Sequence, residues 1–193
     1  MRRQRAGSRR GLGVALWLTL VAAAPAAWAD AARAFVVDPA TSHIRFHATS
    51  RFVDAEGRFH RFDGTILIDA ARAEGASGKL VVELASVDTR NRLRDDHLRS
   101  ADFLDVDRHP TATFVTTAVQ PGHRQWTVLG QLTIRGVSRP ITLPVTVSRI
   151  GDALRVVGEL VVSRREFGIS YQSVLNPIKD EVRVQVELVA RPR

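Results

Sequence analysis

The chain has 193 residues, 45% of them hydrophobic and 6% aromatic, with 28 Lys and Arg against 20 Asp and Glu, a formal net charge of +8 and no cysteine. This length suits one domain with a real core, and the ordinary globular composition excludes collagen-like, disordered and coiled-coil architectures. Zero cysteine excludes disulfide scaffolds, thiol nucleophiles and cysteine-ligated metal centres.

The positive charge is unevenly placed. Arg2, Arg3, Arg5, Arg9 and Arg10 open the chain with no acid among them, an apolar run from Leu12 to Ala24 follows, and Ala27-Trp28-Ala29 precedes Asp30. A basic start, an apolar middle and an A-x-A exit make a secretory signal peptide. The run is shorter than the roughly 20 apolar residues of a membrane span. Ser8-Arg9-Arg10-Gly11-Leu12 loosely resembles a twin-arginine export signal without completing it. The expectation is cleavage after Ala29 and one exported domain over residues 30–193. Losing the five leader arginines leaves 23 basic residues against the same 20 acids, a net charge of +3. Disulfides are permitted outside the cytoplasm, so a domain that uses none must be held by its core.

From there on, period two dominates. Ile44, Phe46 and Ala48 alternate with His43, Arg45 and His47; Leu80, Val82 and Leu84 alternate with Lys79, Val81 and Glu83. Val128, Gly130, Leu132 and Ile134 continue the rhythm, as do Ile141, Leu143, Val145 and Val147, then Leu160 and Val162. The cleanest case sets Val182, Val184, Val186 and Leu188 against Glu181, Arg183, Gln185 and Glu187. One apolar and one polar face at period two predicts half-buried antiparallel strands. Turn signals fall at Asp63-Gly64, Gly75 to Gly78, Pro121-Gly122, Arg135-Gly136 and Gly151-Asp152. Gly64, Gly130 and Gly158, inside strand patterns, predict bulges or tight bends. About eight strands between Phe35 and Ala190 favour an all-β antiparallel barrel, since closure removes both sheet edges; a two-sheet sandwich is the alternative. Asn91 to Phe103 lacks alternation, Gly and Pro, and reads as one short helix across an opening, with the next strand starting near Pro110.

The six histidines, His43, His47, His60, His97, His109 and His123, show no helix-borne zinc spacing and no carboxylate cluster, so no metal site is expected. No G-x-S-x-G nucleophile elbow occurs, and Asp95, Asp96 and His97 point in different directions on a helix. No catalytic residue is assigned, and a binding protein is expected; an enzyme acting on the bound molecule and a filled-barrel interaction protein are the alternatives. Between Arg90 and His109, five arginines meet five aspartates. That balance argues against a phosphate-binding surface and for an ion-paired network fastening the helix.

Eight strands enclose a barrel either filled by side chains or wide enough for one slender ligand. The inward candidates are Phe46, Phe62, Ile66, Leu80, Val82, Leu84, Phe114, Val128, Leu132, Leu143, Val145, Leu160, Val184 and Val186, with Leu98, Phe103 and Phe167 beside them. Almost all are aliphatic or phenylalanine. A lipid cavity and a packed core share this composition, and patterning alone does not separate them.

Several phrases resemble the YceI-like family. They run in order from Val37-Asp38-Pro39-Ala40-Thr41-Ser42, through Gly57-Arg58-Phe59, Arg61-Phe62-Asp63-Gly64 and Ser86-Val87-Asp88-Thr89, to Arg94-Asp95-Asp96-His97-Leu98-Arg99-Ser100 with Asp102-Phe103-Leu104-Asp105. His109-Pro110-Thr111-Ala112-Thr113-Phe114, Gly130 to Val137, Arg164-Arg165-Glu166-Phe167-Gly168-Ile169 and Asp180-Glu181-Val182 complete the set across residues 35–190. The resemblance implies a lipocalin-like eight-stranded barrel in the periplasm that holds a polyisoprenoid, quinone-like or other long-chain amphiphile, in a family also linked to stress responses. The seventeen apolar residues above would then line the lipid site, with Arg94 and Arg99 as candidate head-group contacts; pairing of these arginines with aspartate is the alternative. No cofactor other than such a ligand is implied. The expected partners are the amphiphile and a transient membrane contact, without nucleic acid, and a homodimer stays open. Thr41 and the region of Ser50 stand where many family members carry histidine, which bears on head-group preference.

Overall fold

Alternating side chains bury their apolar face here because the sheet curls round that face. The computed structural model describes residues 33–69 and 72–193, so the segment read as an export leader lies outside the described residues. The strands are β1 (Arg33–Val37), β2 (His43–Ser50), β3 (Ala55–Phe59), β4 (Phe62–Asp69), β5 (Arg72–Glu83), β6 (Val87–Asp88), β7 (Thr111–Gln120), β8 (Trp126–Ile134), β9 (Val137–Ile150), β10 (Ala153–Ser163) and β11 (Ile178–Pro192), with helix α1 (Arg92–Arg99) between β6 and β7. All pairings are antiparallel, in the order β1-β4-β5-β7-β8-β9-β10-β11, and β11 returns to β1 through Val37↔Ala190 and to β2 through Phe46↔Val184. The sheet therefore closes into an eight-stranded barrel, and a sandwich is excluded.

The eleven segments make eight barrel strands because three are bent. β1 and β2 form one strand interrupted at Asp38–Ser42. There the buried Ser42 hydroxyl accepts from the Val189 amide at 2.9 Å and pins the bend to β11. β3 and β4 break at His60 and Arg61, whose amides both donate to Ser86 Oγ at 3.2 and 3.0 Å. β5 and β6 are parted by one 3₁₀ turn at Leu84–Ser86.

Several sequence expectations need correction. Asp63-Gly64 and Gly75 to Gly78 lie inside β4 and β5 and turn nothing. The expected helix stops at Arg99, because Ser100 adopts extended backbone (ψ 171°) and its hydroxyl donates to the His97 carbonyl at 2.8 Å; turns carry the chain on to β7. Of the three strand glycines, only Gly130 lies beside a register shift, between Thr116 and Ala118 of β7. Gly57 and Gly130 serve a different purpose, which is close approach: the Phe46 ring lies over Gly57, 2.5 Å from where a Cβ would stand, and the Phe114 ring covers Gly130 likewise. Arg135-Gly136, both at positive φ (50° and 73°), make the tight β8–β9 hairpin as expected.

The two ends of the barrel differ. Short connections at 121–125 and 151–152 close one end, the hairpin end. The long connections, 84–110 with α1 and 164–177, lie together at the other, the helix end. The β9–β10 ladder runs only from Ala153↔Ile150 to Gly158↔Val145. Beyond it the turn Arg165–Phe167 packs against β9 with Phe167 fully buried.

Candidate functional site

The barrel encloses a cavity of about 570 Å³. Its wall is mostly aliphatic and aromatic because the period-two pattern turns one apolar face of most strands inward; on β7 the register shift between Thr116 and Ala118 moves the inward set from Phe114 to Val119. Of the expected lining residues, Phe46, Ile66, Leu80, Val82, Leu84, Leu98, Phe103, Phe114, Val128, Leu132, Leu143, Val145, Leu160, Phe167, Val184 and Val186 all face it. Phe62 does not: it packs with Val82, Leu84 and Ala112 in the buried core at 4% exposure. On β11 the wall runs from Ile178 to Leu188. At about 3.3 Å per residue on a strand tilted by roughly 40°, that is about 25 Å along the barrel axis. The space is long and slender. On β11 the outward residues, Glu181, Arg183, Gln185 and Glu187, are charged or polar, where a lipid-spanning barrel carries an apolar band.

At the helix end the wall becomes polar. Tyr171, Phe103 and His97 form a three-ring cluster with centroids 4.8–5.0 Å apart, and all three border the cavity. The His97 Nε2 is 3.1 Å from Asp102 Oδ2, which fixes the ring. Arg94 also lines the cavity; its Nε donates to Thr89 Oγ1 at 2.8 Å and its Nη2 to the Thr89 carbonyl at 3.0 Å. Among the described residues its Nη1 donates no hydrogen bond.

Arg99 lies away from the cavity. Its Nε and Nη2 donate to the carbonyls of Ala85 (3.0 Å) and Val87 (2.8 Å), and its Nη1 to Asp96 at 3.0 Å. The pairing with Asp96 is the alternative reading of this arginine; the two bonds to carbonyls, which that reading did not include, make it a clamp. The helix is fastened less by ion pairs than by bonds to backbone: besides Arg99, the buried Asp95 accepts from the amide and hydroxyl of Thr89 at 2.8 and 2.6 Å. Arg135 Nη1 donates to the carbonyls of Ala101 and Phe103. Carbonyls replace aspartates as partners because the loops here leave peptide groups without a ladder, and each needs a donor.

Sequence reasoning missed Arg164, which is 4% exposed and borders the cavity. Its five N–H groups reach Lys179 O, Ile169 O, Tyr171 O, Gln172 Oε1 and Ile178 O at 2.7–3.2 Å. Burial pushes its guanidinium pKa down, with Arg165 adding to this and Asp180 opposing it. Asp180 itself is held below the usual carboxylate range, first by the Ser163 hydroxyl and then by the Arg165 amide. Together they set the whole 164–180 connection. Only the Arg164 to Ile169 phrase in the sequence hinted at this residue. Asn176 was missed too; it borders the cavity and ties the 164–177 connection to the turn between β2 and β3. Among the described residues no group of three or more His, Cys, Asp or Glu could hold a metal ion, and no helix is long and apolar enough to cross a membrane.

Known proteins share this architecture. Burkholderia cenocepacia BcnA superposes with a TM-score of 0.75 at 31% identity, over 79% of this chain and 98% of that one. A polyisoprenoid binding domain from Saccharophagus degradans, implicated in plant cell wall breakdown, superposes at 0.70 with 20% identity, over 83% and 99% of the two chains. A UPF0312 protein of Pseudomonas aeruginosa is 34% identical over 134 residues, 66% of this chain and 69% of the relative, and the protein YceI of Shigella flexneri is 38% identical over 96 residues, half of each chain. The family model of the YceI-like domain matches residues 35–190, from the first strand of the barrel to the last, and the chain belongs to the YceI-like family.

Proposed function

We propose that this protein is an exported carrier or reservoir for a polyisoprenoid or similar long-chain amphiphile, with the tail along the barrel axis and the polar head at the helix end. The observation that carries this reading is the continuous apolar cavity of about 570 Å³. Side chains that stop short of filling such a volume forgo roughly 14 kcal/mol at about 24 cal/mol per Å³, as much as the net stability of a whole domain. A sequence rich in Leu, Val and Phe could have filled it, so the space has a purpose. Its volume lies within the ~300–1,000 Å³ of small-molecule sites. The Saccharophagus neighbour, described as a polyisoprenoid binding domain, supports the same ligand class, at an identity that speaks for the fold alone.

The bilayer is the competitor for such a ligand. In both places the tail is out of water, so transfer is near neutral, which suits exchange over permanent retention. At the mouth, Arg94 Nη1 supplies a donor for an oxygen-bearing head, and the His97–Phe103–Tyr171 cluster supplies flat apolar walls. The Arg-rich, apolar, A-x-A leader supports export to the periplasm, where amino-terminal sequencing of the mature protein should begin at Asp30.

Native mass spectrometry with lipid extraction, on protein purified from its own host, tests the reading. A co-purifying amphiphile is expected. Finding none, together with no uptake of added ubiquinone or prenyl phosphate, overturns it. Val184→Phe, which projects extra volume into the middle of the cavity, should cut uptake at least tenfold while the barrel stays folded.

A further inference from the structure

We propose that the rim of the barrel at the helix end is a bilayer-docking surface, in which Phe52 and Val53 of one loop and Val174 and Leu175 of another enter the lipid interface. This rests on the carrier reading. The side chains are heavily exposed, at 68%, 63%, 93% and 85%. Among the described residues, exposed large hydrophobics elsewhere, Ile150 at the hairpin end among them, reach at most 55%, except Leu93 (82%) on α1, at this same end.

The two loops form one frame. Asn176 accepts from the Phe52 amide at 2.9 Å, and its Nδ2 donates to Ser50 Oγ (2.8 Å) and the Val53 carbonyl (3.2 Å). The Arg51 amide donates to the Pro177 carbonyl at 3.0 Å. Exposed apolar residues on a loop so tied are held out to solvent. Val53 also belongs to the cavity wall, so apolar surface is continuous from the rim to the interior. A prenyl tail could pass between bilayer and barrel without crossing water.

Charge fits the same partner. The Arg51 guanidinium stacks 5.1 Å from the Phe52 ring centroid and forms no ion pair among the described residues, whereas the exposed Lys179 is offset by Asp54. An aromatic beside a cation is the composition of membrane interfaces, with the ring in the headgroup layer and the cation on phosphate. Four apolar side chains on loop tips fall short of the roughly 800 Å² per partner of a stable protein interface, whereas a fluid surface accepts such protrusions.

The test is co-sedimentation of the full mature chain with vesicles of phosphatidylcholine containing a quarter phosphatidylglycerol, without added ligand. Wild type should bind, and the double variant Phe52→Ser, Leu175→Ser should partition about a hundredfold more weakly, at about tenfold for each exposed side chain. Uptake of a water-soluble fluorescent alkyl probe should be unchanged, because neither residue lines the cavity. Equal partitioning of wild type and variant, or no vesicle binding by either, overturns the docking proposal. So does a wild-type dimer in sedimentation velocity that the variant abolishes, which would make the rim a contact between two copies. Loss of probe uptake by wild type with vesicle binding retained would instead overturn the carrier reading and leave docking standing.

Discussion

The hairpin end and the helix end of this barrel are held by different forces. At the hairpin end, Phe35, Val119, Ala153, Leu154 and Ala190 are buried beneath short turns, and apolar packing secures the strands. At the helix end, long connections lie over the opening, and polar side chains hold them: the buried Arg164 and Asp95 and the half-buried Arg99 each bond to peptide groups of these connections. A lid made this way leaves the apolar wall beneath it unfilled. Packing supplies stability at one end, and hydrogen bonding supplies a shaped mouth at the other.

Four variants and one condition would break or sharpen that contrast. Leu154→Ala should have the largest effect, a loss of about 3–4 kcal/mol in denaturant unfolding, with ligand stoichiometry of the folded fraction unchanged. Arg164→Ala should lose about 2–3 kcal/mol, since it leaves five acceptors without donors. Amide exchange should accelerate over residues 164–178 far more than in β10 and β11. Arg164→Lys should not rescue it, because an ammonium lacks the planar five-donor fork. If Arg164→Ala instead destabilised both ends equally, the division of labour proposed here would be wrong. Thr89→Ala, which strips Asp95 of one of two donors and Arg94 of an acceptor, should lose about 1–2 kcal/mol.

The smallest effect concerns acid. Folding holds Asp180 below the ordinary carboxylate value, so the folded state favours the ionised form more than the unfolded chain does. The stability that follows is fully present above that ordinary value and drains away as the pH falls through the lowered one. Glu187, lowered chiefly by its bond from Arg155, behaves alike on the barrel wall. Acidification below the usual carboxylate range should therefore loosen the 164–180 connection along with the outer wall, and exchange measured at stepped pH would show it.

Much of the barrel was legible in the sequence. Side chains alternate every residue on a strand whatever the strand pairs with, so Phe46, Leu80, Leu132 and Val184 could be assigned inward from pattern alone. The helix was legible from its missing alternation, though its end was not, because Ser100 stops it by a local hydrogen bond that nothing in composition requires. Asp63-Gly64 misled for a related reason. A glycine can permit a turn or a close approach, and only the neighbouring strand decides which. Arg94 and Arg99 lie five residues apart on one helix, yet one borders the cavity and the other clamps the chain, since that depends on where carbonyls 85, 87 and 89 lie.

The sequence by itself determined the strands, their inward faces and the family, because all three are written in local periodicity and ordered phrases. Only the tertiary structure decided that the barrel is hollow and that its helix-end rim is apolar. The same aliphatic residues would fill a narrower barrel. Here Phe46 and Phe114 lie over Gly57 and Gly130, against the wall, and the space they do not take is the site.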